Sequence, residues 1–171
     1  MNAMQRIRIE KLTLNVGAGK DENMLKKGEK LLKHLTGIDP VKTITRKRIQ
    51  AWSLRPGLPI GVKLTLRGEQ ARELLPRLLS AKDNTLQENC FDGYGNVSFG
   101  IPEYVDIQGV KYDPDIGIIG LQVSITLERP GYRVKRRKVQ KTKVSLHHQV
   151  TKRDAIDYLK KHFNITIGET A

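Results

Sequence analysis

The sequence predicts an α+β protein. It should hold a mainly antiparallel β-sheet with helices packed on one face, an open basic and polar face opposite, and a long projecting hairpin loop. Three observations lead there. Strand-like segments alternate apolar with polar residues, as a sheet buried on one side requires. Segments with helical leucine spacing lie between them. The cations are concentrated in two stretches of chain.

"RIRIEKLTLNVGAGK" opens as a strand. Leu12, Leu14 and Val16 fall on one face, Lys11, Thr13 and Asn15 on the other, and Gly17-Ala18-Gly19 ends it. "DENMLKKGEKLLKHLTG" is an amphipathic helix, with Leu25, Leu32 and Leu35 in phase, Met24 and Leu31 beside them, and Gly37 as its stop. "VKTITRKRIQAW" and "IGVKLTLRG" read as two strands of a hairpin separated by a Pro/Gly loop. "EQARELLPRLLS" has helical spacing in Leu74, Leu75, Leu78 and Leu79, and Pro76 should kink or divide it. "DNTLQENCFDGYGNVSFGIPEY" is mostly loop and short strand, and "YDPDIGIIG" is turn sequence. "GLQVSITLERPG" alternates strictly, Leu121, Val123, Ile125 and Leu127 against Gln122, Ser124, Thr126 and Glu128. "YRVKRRKVQKTKVSLHHQV" has no clean period and is expected as an extended basic arm over about 131–148. "TKRDAIDYLKKHF" is a helix whose start, Thr151 with Asp154, resembles a capping box. No repeat interrupts the chain, and residues 1–171 are expected to form a single domain.

Charge narrows the function. The chain carries 31 Lys+Arg against 18 Asp+Glu, a net +13. No acid lies between Asp39 and Glu69, a window with seven bases, and none between Glu128 and Asp154, a window with ten. The remaining chain has 14 bases and 18 acids, so the excess is confined to two segments. Two such windows point to a polyanion, and nucleic acid is the natural one. The expected open sheet face agrees. It would present Lys11, Thr13, Asn15, Arg46, Arg48, Gln50, Lys63, Thr65 and Arg67, with Gln122, Ser124 and Thr126. Cations, amides and hydroxyls of this kind dock phosphates and sugar hydroxyls. The face offers no aromatic side chains for stacking bases, so folded RNA read by backbone and shape is the expected ligand.

Other chemistries find little support. "VGAGKDE" lacks the glycines of a phosphate loop, and Lys20 is followed by Asp21 where that loop needs a magnesium-binding hydroxyl. Asp113 and Asp115 could be paired carboxylates, but Asp-Pro-Asp is ordinary turn sequence. His147 and His148 are adjacent, so in an extended arm they would point apart. Cys90 is the single cysteine, which excludes an internal disulfide and fits a reducing intracellular compartment. No catalytic site, metal site or cofactor is expected. No apolar run approaches membrane length, and "MNAMQRIRIEK" has no signal-like apolar region. Two function classes remain: an RNA-binding structural protein, and an RNA-acting enzyme, which would need convergent titratable groups.

Four stretches resemble a known family, ribosomal protein five of the large subunit, which binds 5S ribosomal RNA. They are "KLTLNVGAG", "LTGIDPVKTITRKRIQAWSLRPGLPIGVKLTLRG", "FDGYGNVSFGIPEY" and "YDPDIGIIGLQVSITLERPGYRVKRRK", and together they cover nearly the whole chain. The Trp-containing loop, the basic arm and the C-terminal helix look like the archaeal and eukaryotic branch. The resemblance implies that the open sheet face binds 5S RNA at the stem-loop carrying helix III and loop C, with Asn15, Thr65 and Arg67 on it by motif match. It implies that the hairpin loop, Ser53, Leu54, Arg55, Pro56 and Gly57 with Leu58 and Pro59, reaches peptidyl-site tRNA from the central protuberance. In that loop Pro56 and Pro59 would limit entropy, Arg55 would supply charge, Gly57 and Gly61 would allow close approach, and Trp52 would anchor the base by packing. The arm, with Arg133, Lys135, Arg136, Arg137 and Lys138, is expected to lie along large-subunit ribosomal RNA and to order there. Further implied partners are neighbouring ribosomal proteins of the central protuberance. The implied location is cytoplasmic and ribosome-bound, with no membrane contact.

Overall fold

The computed structural model describes residues 2–168. It is α+β, as expected. A mainly antiparallel five-stranded sheet has the order β2-β3-β1-β6-β5, built from β1 (Arg8–Gly17), β2 (Val41–Ile44), β3 (Pro59–Leu66), β5 (Asn96–Ile101) and β6 (Leu121–Glu128). A second, two-stranded sheet pairs β4 (Thr85–Gln87) in parallel with β7 (Thr166–Gly168). The helices are α1 (Glu22–Thr36), α2 (Gly68–Ser80), the one-turn α3 (Arg133–Arg136) and α4 (Lys152–Phe163). The residues cluster into two compact units, and β1 and β6 contribute to both.

The first unit holds Thr13–Leu66 and Gly100–Val123. Its core is aliphatic: Leu14 and Val16 from β1, Val62, Leu64 and Leu66 from β3, and Leu25, Leu31, Leu32 and Leu35 from α1. Helix α1 begins where Asp21 accepts the Asn23 N–H at 2.8 Å. It ends at Gly37, whose left-handed backbone lets its N–H donate to the Lys33 carbonyl at 2.7 Å. The helix packs on β3, and Gly28 sets the separation. A Cβ there would lie 3.0 Å from Val62 Cγ2 and 3.1 Å from Val16 Cγ1. Gly61 is needed for a similar reason, since a Cβ would sit 2.7 Å from the Val16 carbonyl oxygen. The close approach that requires Gly61 in the structure is to the chain's own backbone.

The second unit holds the described residues of 1–12, 67–99 and 124–171. Helix α2 buries Ala71, Leu74, Leu75, Leu78 and Leu79, and α4 buries Ala155 and Leu159. The Thr151–Asp154 capping box is present in full. Pro76 does not divide α2, which runs unbroken from Gly68 to Ser80. Proline removes the hydrogen bond to the carbonyl four residues earlier. That residue, Arg72, is exposed like Pro76 itself, so water can satisfy the oxygen.

The segment expected as an extended arm is folded back. Residues 133–136 form α3, the Thr142 N–H donates to the Val134 carbonyl at 3.4 Å, and Arg137 Nε donates to the Gln140 carbonyl at 2.8 Å. Gln140 turns the chain with φ of 51°. Intramolecular hydrogen bonds thus replace the extended backbone that the aperiodic sequence suggested.

In the turn before β5, the Asp92 carboxylate accepts N–H bonds from Tyr94 at 2.9 Å and Asn96 at 2.7 Å, and a side-chain bond from Asn96. Burial alone would push its pKa up. The bonds from Asn96 and Tyr94 together outweigh burial and hold it below the ordinary value of 3.8. The stabilisation is therefore complete above that value and is lost as pH falls through the lower folded pKa. Urea midpoints compared between pH 5 and pH 3 should fall less in Asp92→Asn than in the wild type; an equal fall would contradict the assignment. Gly28→Ala gains helix propensity but must displace two buried valines. Overpacking should win, with a net loss of about 1 kcal/mol in urea unfolding.

Candidate nucleic-acid interface

The hairpin of the first unit presents several cations without carboxylate partners among the described residues. β2 and β3 pair antiparallel, Val41 with Lys63 and Thr43 with Gly61, and the register slips at Thr43/Ile44. Beyond Ile44 two rungs still close the loop. Thr45 N–H donates to the Leu58 carbonyl at 2.9 Å, and Ile49 and Leu54 exchange bonds at 3.1 and 3.0 Å. A 3-10 turn at Gln50–Trp52 makes the tip, followed by Ser53 in the left-handed region at φ 53°. Arg46, Lys47, Arg48 and Arg55 are exposed along it and have no ion-pair partner among the described residues.

This corrects two expectations. Arg46, Arg48 and Gln50 are not on a sheet strand, because β2 stops at Ile44. Lys42, still on β2, pairs with Val62 and reaches Glu29 of α1 at 2.9 Å, on the helix side. The cations of Arg46 and Arg48 belong to the hairpin. Trp52 does not anchor the loop: it is 68% exposed, whereas Leu54 is 6% exposed. Leu54 is held in the Ile49 bridge and is the anchor, so it is no exposed contact. Ser53, Arg55, Pro56 and Gly57 are exposed, as expected of a contacting loop. Lys47 on the hairpin stem is an exposed cation that sequence reasoning missed, and Trp52, expected as the anchor, is an exposed tip residue. The acid-free window contained Lys47, but strict alternation passed over it.

The sheet positions keep their alternation elsewhere. In the first unit Thr13 and Asn15 are half-buried and Lys63 and Thr65 exposed, between buried leucines and valines. Asn15 Nδ2 donates to Gln122 Oε1 at 2.9 Å, tying β1 to β6. Lys63 has no carboxylate partner among the described residues.

In the second unit the alternation of β1 slips, with Ile9 and Leu12 buried and Glu10 and Lys11 half-buried between them. Glu10 and buried Glu128 gather three arginines. Arg8 binds Glu128 at 2.7 Å, Arg136 binds both acids, and Arg67 approaches Glu10 at 3.4 Å. Arg67 and Arg136 are thus partly neutralised by the protein itself. Arg133, Lys135, Arg137 and Lys138 are exposed and have no carboxylate partner among the described residues. Among the described residues no group of three His, Cys, Asp or Glu side chains could hold a metal, and no helix is long and apolar enough to cross a membrane.

The arrangement is that of a basic α+β protein with runs of cations lacking carboxylate partners, among the described residues, on a hairpin and on residues 133–143. Comparison with known proteins is specific. Residues 2–55 match the family model for ribosomal protein L5, and residues 59–158 match the model for the C-terminus of the same ribosomal family. A large ribosomal subunit protein uL5 from Sulfurisphaera tokodaii is 48% identical over 99% of this chain and 96% of its own. Those from Sulfolobus acidocaldarius and Nanoarchaeum equitans are also 48% identical, over 98% and 96% of this chain and 94% and 97% of theirs. The chain belongs to the ribosomal protein L5 family. All three relatives are archaeal, in line with the branch that the Trp-containing loop suggested.

Leu54→Ala should cost about 2 kcal/mol or more, by loss of a buried anchor. Trp52→Ala should change stability by no more than about 0.5 kcal/mol, as exposed substitutions do. Urea unfolding of both variants checks the pair, and the reverse order would restore Trp52 as the anchor.

Proposed function

We propose that this chain is a structural constituent of the large ribosomal subunit. It acts in the cytoplasm, bound in the ribosome, and binds 5S ribosomal RNA at the stem-loop of helix III and loop C. It also touches large-subunit ribosomal RNA, neighbouring proteins of the central protuberance and peptidyl-site tRNA. It supplies no catalysis; its work is positioning. The observation that carries the finer reading is the unpaired state of Arg46, Lys47, Arg48, Arg55 and Lys63 among the described residues. A protein can leave so many cations unneutralised where a polyanion will supply the counter-charge.

In this reading Thr13, Asn15, Lys63 and Thr65 meet 5S RNA from fixed strands. Arg46 and Arg48 join them from the hairpin stem and Gln50 from its tip, while in the second unit Lys11 is the cation on β1 with no carboxylate partner among the described residues and Arg67 is already paired with Glu10. Fixed geometry gives selectivity, because hydroxyls and amides on a strand cannot follow an arbitrary backbone. Arg133, Lys135, Arg137 and Lys138 meet large-subunit RNA. The hairpin tip, Trp52, Ser53, Arg55, Pro56 and Gly57, meets tRNA. Two closing rungs and Leu54 hold that tip, so little entropy is lost on contact.

Affinity for 5S RNA should fall steeply with salt. With about six phosphates neutralised, log K drops by roughly four to five per decade of salt. Asn15→Ala and Thr65→Ala should each weaken 5S RNA binding by about 1 kcal/mol, with little effect on an unrelated structured RNA. Arg55→Ala should leave 5S RNA affinity near normal and speed tRNA dissociation from the peptidyl site of ribosomes carrying the variant. Gel shift and tRNA release, measured on the same variants, test the division. Loss of 5S RNA binding by Arg55→Ala with unchanged tRNA release would reverse the two assignments.

A further inference from the structure

In the second unit two tyrosines from distant parts of the chain line one solvent-open cleft of about 880 Å³. Tyr94 comes from the turn before β5 and Tyr132 from the segment after β6. Lys135, Lys141, Lys143 and Leu146 line the same cleft. Tyr94 is 70% exposed and Leu146 79% exposed. Large apolar groups left in water around one concavity mark a recognition site. The cleft is held in shape. The Val150 N–H donates to the Tyr132 hydroxyl at 3.1 Å, and the glycine after Tyr94 packs so closely on Val150 that a Cβ would lie 2.8 Å from its Cβ. Gln149 Nε2 donates to the Val144 carbonyl at 3.0 Å and closes the far wall. No acid lines the cleft, and its three lysines have no carboxylate partner among the described residues.

We propose that this cleft receives a single unstacked nucleotide of RNA. The base lies against Tyr94 and Leu146 beside Tyr132, and the flanking phosphates meet Lys141 and Lys143. The proposal rests on the RNA-binding reading above and adds a base-stacking site to surfaces that otherwise contact backbone. A nucleobase has apolar faces and carries an anionic phosphate, so it needs an aromatic wall next to cations, which is what the cleft provides. A duplex keeps its bases stacked and could offer the lysines only phosphates. An acidic peptide would use the lysines and have no need of Tyr94.

The test uses the full chain with three probes: a single-stranded RNA of about six nucleotides bearing one 2-aminopurine, within the usual length for such sites, a short RNA duplex, and a glutamate-rich peptide. Tyr94→Ala should weaken single-strand binding about tenfold and abolish the 2-aminopurine fluorescence change, Tyr94→Phe should restore both, and duplex binding should be unchanged. Leu146→Ala, also at an exposed position, should weaken the single strand in the same direction. The proposal is overturned if Tyr94→Ala leaves single-strand affinity unchanged, if it weakens duplex binding equally, or if the peptide displaces the RNA and its own affinity falls with Tyr94→Ala. Binding of 5S RNA by the wild type, measured separately, tests the underlying reading. Its failure would leave a clear single-strand result standing, and the reverse also holds.

Discussion

Cations packed into acid-free stretches of chain repel one another, and the structure is arranged around that repulsion. Two unit charges 4 Å apart interact by about 1 kcal/mol in water and about 4 kcal/mol near a protein surface. The windows contain no acid to relieve this, so relief comes from outside them. Glu29 takes Lys42, Glu10 and Glu128 take Arg67 and Arg136, Asp154 takes Arg129, and Glu88 takes Lys152. Each of these pairs fastens a basic segment to a helix or strand. Among the described residues, the window cations without a carboxylate partner are exposed on the hairpin, on residues 133–143 and at Arg153. The windows thus contain two kinds of cation, those paired with carboxylates outside the windows and those with no carboxylate partner among the described residues.

The fold tolerates both kinds because its stability lies elsewhere. Each unit has an aliphatic core, leucines of α1 against β3 in one and leucines of α2 with Ile125 and Leu127 of β6 in the other. Burial of such side chains contributes about 1.5–3 kcal/mol each relative to exposure. Surface ion pairs contribute about 1 kcal/mol or less. The basic segments can therefore be strongly charged without deciding whether the chain folds. What they need from the fold is placement, and the closing rungs at Thr45–Leu58 and Ile49–Leu54 provide it for the hairpin.

Much of this was legible in the sequence. The alternation of β3 and β6 and the helix ends at Gly37 and Thr151 are local signals, and local signals survive folding. Three features were not legible, each because tertiary context decided it. "VKTITRKRIQAW", residues 41–52, read as a long strand, but the ladder slipped at Thr43/Ile44 and the chain turned. Trp52 was expected to pack because tryptophan is large and apolar, yet the smaller Leu54 took the buried position beside Ile49. The basic arm carried no periodicity, and its fold-back depends on Arg136 reaching Glu10 and Glu128, more than 100 residues apart in sequence. Within the candidate site, the residue types were readable from composition. Which cations are taken up by carboxylates required the structure.

The central claim is that the hairpin and β3 cations without carboxylate partners are the ones that meet 5S RNA. Ultraviolet crosslinking of the complex with 5S RNA, read by mass spectrometry at single-residue resolution, tests it most directly. The account predicts adducts on residues 46–50 and 63–65 and none on Lys33 or Lys42, whose ammonium groups face Asp39 and Glu29. Adducts concentrated on α1, with the hairpin and β3 unmodified, would contradict it.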